Sequence, residues 1–221
     1  MHNKFLNEAS LGKQKLLVIP VYFKGENSER DIASRKEKTI MIQNAFFGDP
    51  DKTGFESVSS FYNKSSYGQL SLTGEVTDWY EMEYSRYDDL TGYGQITKTV
   101  ASNALDWLRS EEYKGKTINL EEYDNDNDDY IDGIYLIYDA PYDKRHSDSI
   151  YWAFTSHTKQ GEYGINNTAP YACTYSWSSV DFAYEKENVA YRNTYIHEVD
   201  AFYLEKRANI LQQQMNVLKA N

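Results

Sequence analysis

The chain has 221 residues, 40% of them hydrophobic, enough to bury one sizeable core and short enough to favour one domain over several. With 34 Asp and Glu against 23 Lys and Arg, its net charge is −11, which repels nucleic-acid backbones and anionic membranes and excludes nucleic acid as a partner. Cys173 is the only cysteine, which excludes an intrachain disulfide and a cysteine zinc cage.

Residues 1–15 read as a polar N-terminal extension without the apolar centre of a signal peptide. Leu16 to Phe23 is the longest apolar run, rich in strand formers and far too short to span a bilayer, so no membrane span is expected. Pro20 inside it points to an edge or bulge position. Asp31 to Phe47 reads as a helix with Ile42 and Phe46 one turn apart and Gly48 as its stop. A shorter helix follows from about Phe55 to Tyr62, then an alternating strand from Leu70 to Trp79. The clearest helix holds Ile96, Val100, Ala104, Trp107 and Leu108 at spacings of three and four. Gly133 to Tyr138 is a further strand, Tyr151 to Ser156 a weaker one, and a helix begins near Arg192. Without repeats or linkers, this loose alternation predicts one α+β domain, with helices packed on a twisted mixed β-sheet and a long helix last.

Two segments carry chemistry. In the loop Asp124 to Gly133, the side chains at positions one, three, five and nine are Asp124, Asp126, Asp128 and Asp132, and Tyr130 offers a carbonyl at position seven. That is the ligand order of a calcium loop. Position six is Asp129 rather than Gly, and Tyr135 stands where a bidentate Glu belongs. Carboxylates about 4 Å apart repel by about 4 kcal/mol at an effective dielectric near 20, so an ordered loop of this kind favours a cation; the alternative is a solvated acidic turn.

The second segment is Tyr195-Ile196-His197-Glu198-Val199-Asp200-Ala201. In H-E-x-x-H, two histidines one helical turn apart hold zinc and the Glu polarises its water. Here Ala201 stands for the second histidine and has no ligand atom. Asp200 shares the face of His197 closely enough to lend a carboxylate, and His146 and His157 read as ordinary exposed histidines.

Gly54 to Leu70 combines a helix ending in Phe61-Tyr62 with Ser66-Tyr67-Gly68-Gln69-Leu70, and a strand then closes on Val76-Thr77-Asp78-Trp79-Tyr80. With the opening strand, the Asp-rich loop running into Ile131 to Ile137, the Trp152 segment and His197-Glu198, this order resembles the catalytic domain of the immune inhibitor A family of secreted bacterial metallopeptidases. The resemblance runs from about Lys15 to Glu198. It implies a zincin-like fold, a long C-terminal metal-site helix, protein or peptide substrates, and peptide-bond hydrolysis by a zinc-activated water. It would make His197 the first zinc ligand and Glu198 the general base. It also implies secretion for the complete protein, although this chain carries no signal peptide.

The family pattern continues as H-E-x-x-H-x-x-G-x-x-D or H, and Ala201, Leu204 and Arg207 depart from it at each remaining position. Composition shifts at the same place: the last tyrosine is Tyr203 and no Asp or Glu follows Glu205. Residues 16–204 thus read as the metallopeptidase-like part and 205–221 as a divergent polar helical tail with Leu211, Met215 and Leu218 as its stripe. Either a natural pseudoenzyme has rebuilt its metal helix, or the C-terminal part was lost or replaced after Glu198. Two functions follow: a zinc metallopeptidase by descent, inactive as it stands, or a non-catalytic, calcium-stabilised extracellular binding module. Cys173 has no histidine beside it, and Ser57, Ser59 and Ser60 lack a G-x-S-x-G turn, so neither a cysteine nor a serine hydrolase fits. Oligomeric state is not legible in the sequence.

Overall fold

The computed structural model describes residues 12–125, 127–143, 149–157, 168–186, 189–190 and 193–200. In chain order its elements are β1 (Gly12–Tyr22), α1 (Glu29–Phe47), α2 (Pro50–Thr53), α3 (Val58–Ser65), β2 (Leu70–Val76), β3 (Tyr80–Glu81) and α4 (Tyr93–Arg109). Then come β4 (Tyr130–Ile131), β5 (Ile134–Tyr138), β6 (Phe154–His157), β7 (Tyr171–Ala172), β8 (Thr174–Ser179), β9 (Glu185–Lys186) and β10 (Val189–Ala190). Short 3-10 turns occupy Leu120–Tyr123 and Val180–Ala183, and residues 193–200 form a helix, α5.

The main sheet runs β2-β1-β5-β8-β6, with β3 beside the end of β1. Its pairings are parallel except for β6, which lies antiparallel on β8 at the edge. Every residue of β1 from Leu16 onward is buried, because helices cover both faces of the sheet. Leu17, Ile19 and Val21 face α4, which presents Ile96, Val100, Ala104 and Leu108 as its periodicity predicts. Leu16 and Val18 face the side covered by α1, α3 and α5, where Phe46, Tyr135 and Tyr195 meet with ring centroids 4.8 to 5.5 Å apart. Tilted and edge-on pairs of this kind add about 0.5–1.5 kcal/mol each beyond the area they bury.

Several elements differ from the sequence reading for local reasons. Pro20 lies in a central strand, not at an edge or bulge. The N–H groups of Leu17 and Asp139 serve the β1–β5 ladder, whereas Val18 and Tyr22 accept from Thr77 and Met82 on the other side. Alternation turns the nitrogen of Pro20 toward that second side, at the gap between β2 and β3, where no ladder bond is lost. The helix expected from Phe55 starts at Val58, because the Ser57 hydroxyl accepts from the Ser60 N–H and forms a capping box there. The strand expected to run through Trp79 breaks at Val76, where Trp79 turns back and donates its indole N–H to Thr39 Oγ1 at 2.8 Å. β8 escaped the sequence reading entirely, and it is the strand beneath the candidate site. The mixed α+β architecture with a mixed sheet is as expected; the long C-terminal helix can be followed only over 193–200, and the tail at 205–221 lies outside the described residues.

Candidate active site

α5 lies on the sheet through Tyr195 and Val199, both buried, and this sets the orientation of the residues between them. Tyr195 donates its hydroxyl to the Ser179 carbonyl at 2.9 Å, and the Tyr62 hydroxyl of α3 donates to the Ile196 carbonyl at 2.7 Å. Burial pushes the Tyr195 and Tyr135 phenols well above their ordinary range, so both remain neutral donors.

On this helix His197 and Glu198 point to different surroundings. The His197 side chain is 78% exposed and that of Glu198 only 9%. Glu198 turns inward over β6 and β8, where Thr155 Oγ1 lies 3.0 Å from its Oε2 and 3.1 Å from its own backbone carbonyl. Ser176 Oγ lies 3.3 Å from that carbonyl and 3.0 Å from Thr155 Oγ1. Each hydroxyl has one proton, so Thr155 and Ser176 together supply two donors to the Glu198 carboxylate, its carbonyl and each other. His197 Nδ1 approaches Glu198 Oε1 at 3.3 Å, and His197 otherwise faces a groove of about 530 Å³ shared with Phe61, Tyr62, Ile196 and Asp200.

The structure therefore places Asp200 with His197 on one groove, as the helical spacing expects, and holds Glu198 at a buried polar cluster. Thr155, Ser176, Tyr62 and Tyr195 were not singled out from sequence. The available signal was the Thr174-Tyr175-Ser176-Trp177-Ser178-Ser179 alternation, whose Ser176 and Ser178 occupy the face toward α5 that an apolar residue would ordinarily take. His157, at the end of β6, is exposed; His146 lies outside the described residues. Burial raises the Cys173 thiol above its ordinary range, which removes thiolate character. Ser57 caps α3 and Ser59 donates to the Leu72 carbonyl, so neither is an activated nucleophile.

A catalytic zinc needs three protein ligands and an open position. Among the described residues no group of three or more His, Cys, Asp or Glu side chains is placed to hold a metal ion. His197 and Asp200 are at most two ligands, and Ala201 supplies no ligand atom. The described residues do not fit that metal, and no reaction step is routed through it.

In the acidic loop, Asp124 Oδ1 accepts from the Asp128 N–H at 3.1 Å and Oδ2 from the Asp129 N–H at 3.0 Å. Asp128 Oδ1 accepts from the Tyr130 N–H at 3.0 Å, and Asp132, buried, accepts from the Asn125 N–H. Asp129 adopts φ +69°, the left-handed conformation that Gly supplies at position six of a calcium loop. Tyr130 lies in β4 against Tyr171 of β7, and Asp126 lies outside the described residues.

A search of curated proteins finds no match. Residues 13–139 match the family described as immune inhibitor A peptidase M6, catalytic domain. The match spans β1 to the end of β5, more than half of the 221 residues, and stops before His197 and Glu198. It supports a metallopeptidase-like function in general, and the family is one of secreted, zinc-dependent proteases that act on protein substrates. Among the described residues no helix is long and apolar enough to cross a membrane. The matched span includes the opening strand, the Tyr67-Gly68 segment and the Asp-rich loop in the order set out from sequence, and on it the chain belongs to the immune inhibitor A family of M6 peptidases.

Proposed function

We propose that this chain is a zincin-like peptidase domain, built by descent to hydrolyse peptide bonds of extracellular proteins and inactive as it stands. The observation that carries this reading is the division on α5: His197 is exposed and shares its groove, among the described residues, with no ligand beyond Asp200, while the would-be base Glu198 is buried under Thr155. A general base must reach the water it deprotonates, and a single histidine holds zinc too weakly to keep it at a site. The antiparallel edge strand β6 beneath α5 and the helices on both faces support a zincin-like architecture. In this reading residues 1–15 are an extension, 16–204 the peptidase-derived domain and 205–221 a tail that departs from the family pattern.

Metal content by mass spectrometry on zinc-supplemented protein, beside an Ala201→His variant, tests the proposal. Zinc below about a tenth of an equivalent in the unmodified chain, with a gain in the variant, is the expected result. Near-stoichiometric zinc together with peptidase activity that Glu198→Ala abolishes would overturn it.

A second reading, a non-catalytic binding module stabilised by calcium, is favoured by one observation: Asp124 closes the acidic loop on the N–H groups of positions five and six while Asp129 takes the left-handed turn. Calcium at 100 times its dissociation constant would add about 2.7 kcal/mol of stability. A melting temperature indifferent to calcium and to chelator, with Asp126→Ala equally silent, removes this reading.

A further inference from the structure

Leaving β1, the chain crosses one face of the sheet through α1 and α3 to reach β2; from β3 it crosses the other face through α4 to reach β5 on the far side of β1. β1 and β5 thus flank a point where the winding reverses, and the carboxyl ends of parallel strands open a crevice at such a point. Here the crevice is a cavity of about 530 Å³. Lys24 and Glu26 reach it after β1, Arg86 after β3 and Asp139 after β5, while Arg35 and Lys38 come from α1. It shares no lining residue with the His197 groove.

In a chain of net charge −11, this wall carries four cations and three carboxylates. Two of the carboxylates are ion-paired and the third is hydrogen-bonded. Arg86 holds both oxygens of Glu26, Lys38 pairs with Asp139, and Asp31 accepts from the Ser28 N–H at 3.1 Å and its hydroxyl at 2.7 Å.

Arg35 and Lys24 are left without a direct ion pair among the described residues, and only Asp31, one helical turn from Arg35, remains to face them, so the wall keeps one cation in excess. Arg35 is only 5% exposed, yet its guanidinium meets neutral groups: Nη1 donates to the Glu26 carbonyl at 2.7 Å, Nη2 to Asn27 Oδ1 at 3.1 Å, and the Tyr22 ring lies 3.9 Å away. Those bonds engage two of its N–H groups, and among the described residues it has no ion pair. The Lys24 side chain is exposed at the rim and likewise has no ion pair there. A guanidinium taken out of water without a counter-charge is costly, and its planar fork matches the oxygens of a carboxylate or a phosphate. A cation in excess at a strand-end crevice is the complement of an anion.

We propose that this crevice binds a small oxyanion, a carboxylate or a phosphate group, between Arg35 and Lys24, whatever the state of the peptidase site.

Titration calorimetry of the full chain with inorganic phosphate and separately with glutarate, at constant ionic strength in chloride, tests it. Saturable one-to-one heat with at least one probe is expected, and which of them binds tells whether the natural ligand carries phosphate or carboxylate. Lys24→Glu changes an exposed side chain and should leave the fold intact by circular dichroism while weakening binding at least tenfold. Arg35→Gln should abolish binding, and if it fails to fold the Lys24→Glu result decides. No saturable heat with either probe, or an affinity unchanged in Lys24→Glu, would overturn the proposal.

Discussion

The burial of Glu198 makes Thr155 a residue of measurable weight. Thr155→Val keeps the shape and the strand propensity of β6 and deletes one oxygen, the donor 3.0 Å from Glu198 Oε2. Glu198 is 7% exposed, so water does not freely replace that donor, and Ser176 has a single proton with which to serve both the Glu198 carbonyl and the cluster. A hydrogen bond to a charged group contributes about 1.5–3 kcal/mol, which places the loss near 2 kcal/mol. For a chain of this size that is a fall of about 4–8 °C in melting temperature. Urea unfolding of the wild type, Thr155→Val, Glu198→Ala and the double variant forms a cycle, and a coupling of about 1 kcal/mol or more is expected between residues in one network. Glu198→Gln alone should cost less than Thr155→Val, because its amide oxygen still accepts from Thr155. A Thr155→Val variant within about 0.5 kcal/mol of wild type would refute the account of how Glu198 is held.

Gly74 pairs with Leu16 across β1 and β2, and a Cβ there would fall 1.9 Å from the Leu16 carbonyl oxygen, so Gly74→Ala should lower the urea midpoint by the equivalent of about 1–3 kcal/mol. Gly94, in the first turn of α4 with open space around it, should respond with the opposite sign, a gain of about 0.5–1 kcal/mol in Gly94→Ala. Burial raises the phenols of Tyr135, Tyr195, Tyr138 and Tyr123 above the ordinary value of 10.0, so their neutral forms are favoured in the folded state. Their contribution is complete below pH 10 and is lost as pH rises above it, so part of the tyrosinate absorbance should appear only in a step coincident with unfolding; complete ionisation of all tyrosines in a chain still folded by circular dichroism would contradict this. At the acid end, Lys64 and Ser60 hold Glu56 below its ordinary 4.5, and Ser28 and Arg35 hold Asp31 below 3.8. Such depressed carboxylates stabilise the fold above their unfolded values, so on their account the melting temperature should fall as pH drops below about 4.5 for Glu56 and about 3.8 for Asp31.

Much of this protein was legible in its local patterns. α4 could be read because one of its faces meets a sheet, and burial along one face imposes the 3.6-residue period on Ile96, Val100, Ala104 and Leu108. β1 and β5 could be read because sheets covered on both faces demand continuous apolar runs. The order of these elements, with the Asp-rich loop between them, also carried the family. β8 was hidden because Ser176 and Ser178 are buried as hydrogen-bonding groups rather than as apolar ones, and no periodicity rule registers that.

The sequence alone also determined that His197 has no histidine partner one turn later, since identity at position 201 needs no coordinates. Only the tertiary structure decided that His197 and Glu198, adjacent in the chain, face solvent and interior respectively, because that depends on which side of α5 Tyr195 and Val199 anchor to the sheet. The same holds for the crevice of Arg35. Residues 24, 35, 86 and 139 become neighbours only because β3 and β5 pair with β1 on its two sides, and a buried charge acquires meaning from what surrounds it, which lies on other segments of the chain.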